Sequence, residues 1–299
     1  MRHGFTRTEL AAVMVATTVL GAVGVTIAGA EPSGRTERLM ESLANLRAIG
    51  SANAAYRADN AGFLPLELTT NTRRYRPNRP PGGFCSWSWG GKNCNRWWFA
   101  SAPFDIEAAD RPINAYLYPG YTFTAPTAPA RLPADDPARV NQQAHVFRDP
   151  ADLNGRQRFW GSFNTPPISN YDDLGTSYHA QMDWFNQISR GFPNLDFVAK
   201  YNLGTARLAS DQGVDPARFI HYFDEVGSLV IDNPYPAAHI QGNHGVENAG
   251  VTLFADGHAG LVTFTAGANR GSAITPTYSV WFEDLGRPAG RTLTVGAPR

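Results

Sequence analysis

The chain has 299 residues, a formal net charge of zero and only 17% charged residues. That balance argues against a general electrostatic nucleic-acid binder, which needs a basic face or stripe. Glycine (29) and proline (22) are in excess while Trp, Phe and Tyr are plentiful, a composition that fits a loop-rich globular part better than a disordered one.

The N-terminal stretch comes first. Leu10 to Ala30 contains no charged residue. As a helix rising about 1.5 Å per residue it would be about 31 Å long, close to the ~30 Å of a bilayer core. Gly21, Gly24 and Gly29 would weaken a water-exposed helix by roughly 1 kcal/mol each but allow helices to approach closely. Glu9 stands at the margin of this run, where an unpaired carboxylate costs on the order of 2–3 kcal/mol. A secretory signal places its cleavage site after the apolar core. Here Gly4-Phe5-Thr6 stands before it.

Gly4-Phe5-Thr6, then Glu9, then the apolar run resemble the class III signal of type IV prepilins and type II secretion pseudopilins. The resemblance implies cleavage between Gly4 and Phe5 by prepilin peptidase, methylation of Phe5 and retention of the apolar segment. It also implies a partner for Glu9, the free N-terminal amine of a neighbouring subunit. Arg7 stands where that family usually carries an apolar residue.

Arg35 to Asn60 is expected to be a second helical stretch. Leu39, Leu43, Leu46 and Ile49 recur at helical spacing, Ala52 and Tyr56 continue the stripe, and Gly62 is a candidate C-cap. The sequence Leu43-Ala44-Asn45-Leu46-Arg47, followed by Tyr56 and Gly62-Phe63-Leu64-Pro65, resembles the amphipathic helix half of pseudopilins and of the large prepilin-like proteins of planctomycetes.

Leu66 to Pro137 has little periodicity. It holds a stiff basic stretch, Arg73 to Pro81, and an aromatic cluster of Trp87, Trp89, Trp97 and Trp98. Trp87 and Trp89 alternate as on one face of a strand, and the cluster reads either as a satellite core or as a surface that stacks on a sugar or a partner protein. Cys85 and Cys94 are the only cysteines. In an exported domain they are expected to close a short disulfide loop.

Further along, Ala144–Arg148, Phe219–Phe223, Ser228–Ile231 and Ser279–Phe282 read as strands, and Asp149-Pro150 as the start of a turn. Ala249–Ala255 and His258–Thr265 flank Asp256-Gly257, a strong hairpin signal. Gly257 is expected at positive φ, with Phe254 packed inward. His244 followed by Asp256-Gly257-His258 resembles the histidine–spacer–Asp-Gly signature of the same planctomycete proteins. Eleven residues separate His244 from Asp256, two more than usual in that signature, which places an insertion near Glu247-Asn248.

The fold expected from this pattern is α+β, with a long N-terminal helix packed on an antiparallel sheet bearing large loop insertions. The pilin resemblance divides the chain into a leader (1–4), a transmembrane and assembly helix (5–30), its amphipathic continuation (31–65) and a β-rich globular domain (66–299).

Candidate chemistry is sparse. His221, Asp224, His244, Asp256 and His258 are suitable metal-ligand types but lack the spacing of a metalloenzyme motif. The expectation is that His244 and His258 hydrogen-bond around a tight turn, with no bound metal. Asp149, Asp152 and Asn154-Gly155 resemble a fragment of a calcium loop. Calcium, known in some pseudopilins, therefore stays open as a ligand, with no other cofactor expected. The paired carboxylates Asp172-Asp173 and Asp224-Glu225 read as caps and turns before catalysts. No nucleophile elbow, phosphate loop or dinucleotide fingerprint occurs.

The expected function is a structural filament subunit of a type IV pilus or type II secretion pseudopilus, not an enzyme. Its expected partners are itself, other pilin-like subunits, prepilin peptidase and an inner-membrane assembly platform, with no nucleic acid. The expected location is a single-pass inner-membrane anchor with the globular domain exported. The rival reading is a monomeric anchored protein displaying a carbohydrate- or protein-binding domain.

Overall fold

A computed structural model describes residues 34–65, 89–93, 108–123, 142–153, 169–232, 239–264 and 278–285. The chain divides between Gly34 and Arg35, and all described residues but Gly34 belong to the second unit. Among them no helix is long and apolar enough to cross a membrane. The run Leu10–Ala30, with Gly4, Phe5 and Glu9, lies outside the described residues, as do Cys85, Cys94, Trp87, Trp97 and Trp98.

Helix α1 spans Gly34–Asp59. Leu43, Leu46, Ile49, Ala52 and Tyr56 form its buried stripe, each large apolar side chain contributing roughly 1.5–3 kcal/mol. The helix ends where Ala61 and Gly62 take positive φ and Gly62 N donates to Arg57 O at 2.8 Å. Among the described residues two short helices follow, α2 (Asn114–Leu117) and α3 (Asn170–Leu174). Ser169 caps α3 through Asp172 N, and Gly175 closes it at φ 86°.

The sheet has four antiparallel strands in sequence order: β1 (Tyr178–Ala180), β2 (Ile220–Asp224), β3 (Ala249–Phe254) and β4 (Ala259–Thr263). Between β1 and β2 lie α4 (Asp183–Gly191) and α5 (Phe197–Ala209), and after β2 comes α6 (Glu225–Asp232). An α+β architecture is thus established, with both faces of β3 buried. Val251 and Leu253 join the cluster built on α1, whereas Phe254 joins Val226, Val230 and Ile231 of α6 on the other face.

β2 departs from simple alternation. Ile220 pairs with Phe254 and Tyr222 with Leu253, so His221 is an extra residue in the ladder. The bulge turns Ile220 and Phe223 toward α6 while Tyr222 stays with α1.

Three expected strands are corrected. His145–Phe147 is a 3-10 turn, closed by Phe147 N to Ala144 O and Arg148 N to His145 O. Ser228–Ile231 lies in α6, because Val226 and Val230 share one face at helical spacing and Asp224 accepts from Gly227 N at 3.0 Å. A short apolar run cannot by itself separate a strand from a buried helix. Ser279 makes only an isolated bridge with Phe219. Its hydroxyl donates to Trp281 O and accepts from Trp281 N, a local turn that competes with a ladder. Trp89 is no strand residue either. It lies in a bend, 2% exposed, edge-on to Tyr222 and His221 at 4.8 and 4.9 Å.

Candidate functional site

The most heavily built polar site lies beneath the first half of α1. Asp149 is fully buried. Its Oδ1 accepts from Ser42 Oγ at 2.7 Å and from Ala151 N at 2.8 Å. Its Oδ2 faces His244 Nε2 at 3.1 Å, with both side chains sealed from solvent. With Asp149 as a carboxylate, which only accepts, Nε2 is the donor of this pair. Alongside, Asn45 Nδ2 donates to Arg148 O at 3.0 Å.

Two further buried carboxylates stand nearby. Asp152 accepts from Ser177 Oγ at 2.7 Å and Tyr171 N at 3.1 Å. Burial, with a smaller push from Asp149, raises its pKa to about 6 against those hydrogen bonds. Asp224 accepts from Gly227 N and Val251 N. Burial first, and Asp149 next, lift it well above the usual carboxylate range. Tyr178, also buried, points its hydroxyl at Arg148 O and is held well above its ordinary pKa by burial and by Asp149.

The chemistry of this arrangement is hydrogen bonding across chain segments. Asp149 stands between Ser42 and His244, so the hydroxyl faces a carboxylate and not the imidazole. Asp149 and Asp152, the described part of the calcium-loop fragment, turn inward onto protein donors; Asn154 and Gly155 lie outside the described residues.

The Asp256-Gly257 turn joins β3 to β4. Gly257 N donates to Phe254 O and Phe254 N to His258 O, both at 2.9 Å. Gly257 has φ 92° and Phe254 is buried at 5% exposure. This is a three-residue hairpin loop with glycine in the left-handed position. Asp256 Oδ1 accepts from His258 N at 3.1 Å and meets His258 Nδ1 at 2.6 Å. The His258 ring stacks on Phe254 at 4.2 Å. The inferred insertion at Glu247-Asn248 falls in a second small hairpin, where Gln241 bridges Glu247 and Asn248 takes φ 52°.

The five metal-ligand types are thus dispersed. His258 and Asp256 share an exposed tip, His244 lies in the Asp149 network, Asp224 caps α6 and His221 packs among aromatics. Among the described residues no group of three or more His, Cys, Asp or Glu is placed to hold a metal ion. Of the carboxylate pairs, Asp172 meets Lys92 Nζ at 2.5 Å. Burial raises the pKa of Asp172, but its bonds to Lys92 and Ser169 outweigh that and hold it below the ordinary value. Glu225 meets the buried His179 at 2.8 Å.

The sequence does not point to Asp149 as the partner of His244, or to Ser42 as the partner of Asp149. The available signal was weak, a serine on the apolar side of a helix and an aspartate opening a turn. No family model, curated protein or solved structure matches this chain.

The bulge histidine carries a pH-dependent expectation. Burial, with a contribution from Arg57, lowers the His221 pKa to about 3. Its depressed value favours folding above pH ~6.5 and loses that contribution as pH falls toward 3. Asp152 acts with the opposite sign. Its raised value favours folding below its unfolded pKa, and that contribution is lost as pH rises through about 6. Relative to the unmodified chain, His221→Phe should therefore gain stability as pH falls from 6 to 4, by up to about 1.4 kcal/mol per pH unit. Urea unfolding at a series of pH values measures this. A stability difference that stays constant from pH 7 to 4 rules the account out.

Proposed function

We propose that the chain is a structural subunit of a type IV pilus-like or type II secretion pseudopilus filament. The observation that carries this reading is the order Gly4-Phe5-Thr6, Glu9 and an uncharged run to Ala30 at the N-terminus. The fold supports it in coarser terms, as the next helix, α1, lays its apolar stripe on a four-stranded antiparallel sheet.

In this reading prepilin peptidase cuts between Gly4 and Phe5, and the apolar helix stays in the inner membrane until assembly. Glu9 then pairs with the Phe5 amine of a neighbouring subunit. That pairing removes the cost of a bare carboxylate at the membrane margin. The globular unit faces the exported side and forms the outer surface of the filament. The subunit works by polymerising with itself and with other pilin-like subunits on an inner-membrane platform.

The test is mass spectrometry of the protein from its native membrane or filament fraction. The expected N-terminus is N-methyl-Phe5. A mature terminus beyond Ala30 overturns the proposal.

A further inference from the structure

We infer that the histidine and Asp-Gly elements of the C-terminal signature form a two-jaw clamp on α1, fixing the helix's axial position and rotation on the sheet. The inference rests on the unit Arg35–Arg299 and is independent of how the N-terminal segment is used.

The first jaw is the His244 end. Its imidazole acts on α1 through Asp149. It holds Asp149, and Asp149 holds Ser42 on the buried side of the helix. Asn45, one turn on, grips the adjoining carbonyl of Arg148. Gly245, at φ 74°, lies against the guanidinium end of the exposed Arg35 side chain at the start of α1.

The second jaw is the hairpin end. Gly50 lies against the β3–β4 turn, and a Cβ on it would stand 3.0 Å from Leu253 Cδ1 and 3.6 Å from Gly257 Cα. The turn is itself braced from behind, by Ala255 N to Phe219 O and Asp256 N to Pro216 O. Ser42 and Gly50 are separated by about 12 Å along the axis at ~1.5 Å per residue. Apolar packing alone is non-directional and tolerates a helix that slips or turns. A directional hydrogen bond at one point and a close backbone approach at another allow one placement. The clamp thereby decides which face of α1 remains outward, the one carrying Glu37, Met40, Glu41, Ala44, Arg47, Ser51 and Ala54.

Amide hydrogen exchange on the full chain in detergent, read by mass spectrometry, tests this. In His244→Ala, peptides covering residues 36–50 should exchange about tenfold faster or more, while peptides from α4 and α5 stay within about twofold. His244→Gln, whose amide nitrogen can replace Nε2 as donor, should recover most of the protection. Gly50→Leu, which wedges the second jaw, should accelerate residues 47–58. Equal acceleration in α1 and in α4–α5 makes His244 a general core residue and overturns the clamp. So does unchanged exchange in α1, or a His244→Gln variant as fast as His244→Ala. If His244→Ala fails to fold, Ser42→Ala breaks the other link of the same jaw, the Ser42–Asp149 bond, and is judged by the same exchange in α1 against α4 and α5.

Discussion

Trp184→Ala is expected to lower the free energy of unfolding by about 3–5 kcal/mol, the range for truncating a large buried aromatic side chain. Trp184 lies at the start of α4 and is 1% exposed. Its ring meets Tyr201 of α5 at 5.8 Å, Phe185 at 6.1 Å and Phe282 at 6.3 Å. Its indole nitrogen donates to Gln181 O at 2.9 Å, leaving no polar atom of the side chain unpaired. Gly204 of α5 has no side chain because the ring occupies that space, and a Cβ there would lie 2.1 Å from Cζ3. The void left by alanine would be bounded by α4, α5 and the 278–285 segment. These are held to one another independently, as by Gln187 Nε2 to Phe282 O at 2.8 Å. Such walls collapse poorly, which places the loss toward the upper part of the range. Urea unfolding of the two proteins measures it. A loss below about 1 kcal/mol would mean that α4 and α5 do not pack through this ring.

The parts of the fold that the sequence makes legible are those whose signal is local. The α1 stripe is legible because its apolar residues recur at helical spacing and glycine follows the last turn. The β3–β4 hairpin is legible because Asp256-Gly257 interrupts two runs that read as strands, and only glycine adopts φ 92° without strain. Legibility fails where geometry depends on distant residues. Ser228 to Ile231 suits a strand or a helix, and the N-terminal cap from Asp224 together with packing on Phe223 and Phe254 decides for a helix. The bulge at His221 has no local signature at all. The network around His244 is the clearest case. Ser42 is 107 positions from Asp149, and Asp149 is 95 from His244. No spacing rule joins three residues on a helix, a turn and a loop. The signature resemblance singled out His244, but its partners emerge only from the folded chain.

Gly175→Ala is expected to cost about 3 kcal/mol or more, because it combines backbone strain with overpacking. Gly175 closes α3 at φ 86°, a conformation that costs an L-residue with a side chain roughly 1–2 kcal/mol. Space is the second problem. A Cβ on Gly175 would lie 2.1 Å from Lys92 O and 2.8 Å from Arg111 Nη1. Neither neighbour can withdraw easily. Lys92 N donates to Gly175 O at 2.9 Å, so the two backbones are tied together. Gly91, at φ 117°, stands opposite and would place its own Cβ 2.2 Å from Gly175 O. Arg111, 1% exposed, is fixed by bonds to Gly90 O at 3.0 Å and Leu174 O at 3.1 Å. Shifting it would loosen a buried charge from its acceptors, which adds to the cost. Gly120→Ala supplies the comparison, for Gly120 has φ 82° but nothing within 4 Å of a Cβ. That variant should lose only the strain, about 1 kcal/mol. Urea midpoints of the two variants separate the contributions. If Gly175→Ala is no worse than Gly120→Ala, the segment 89–93 does not lie against α3 as closely as these distances require.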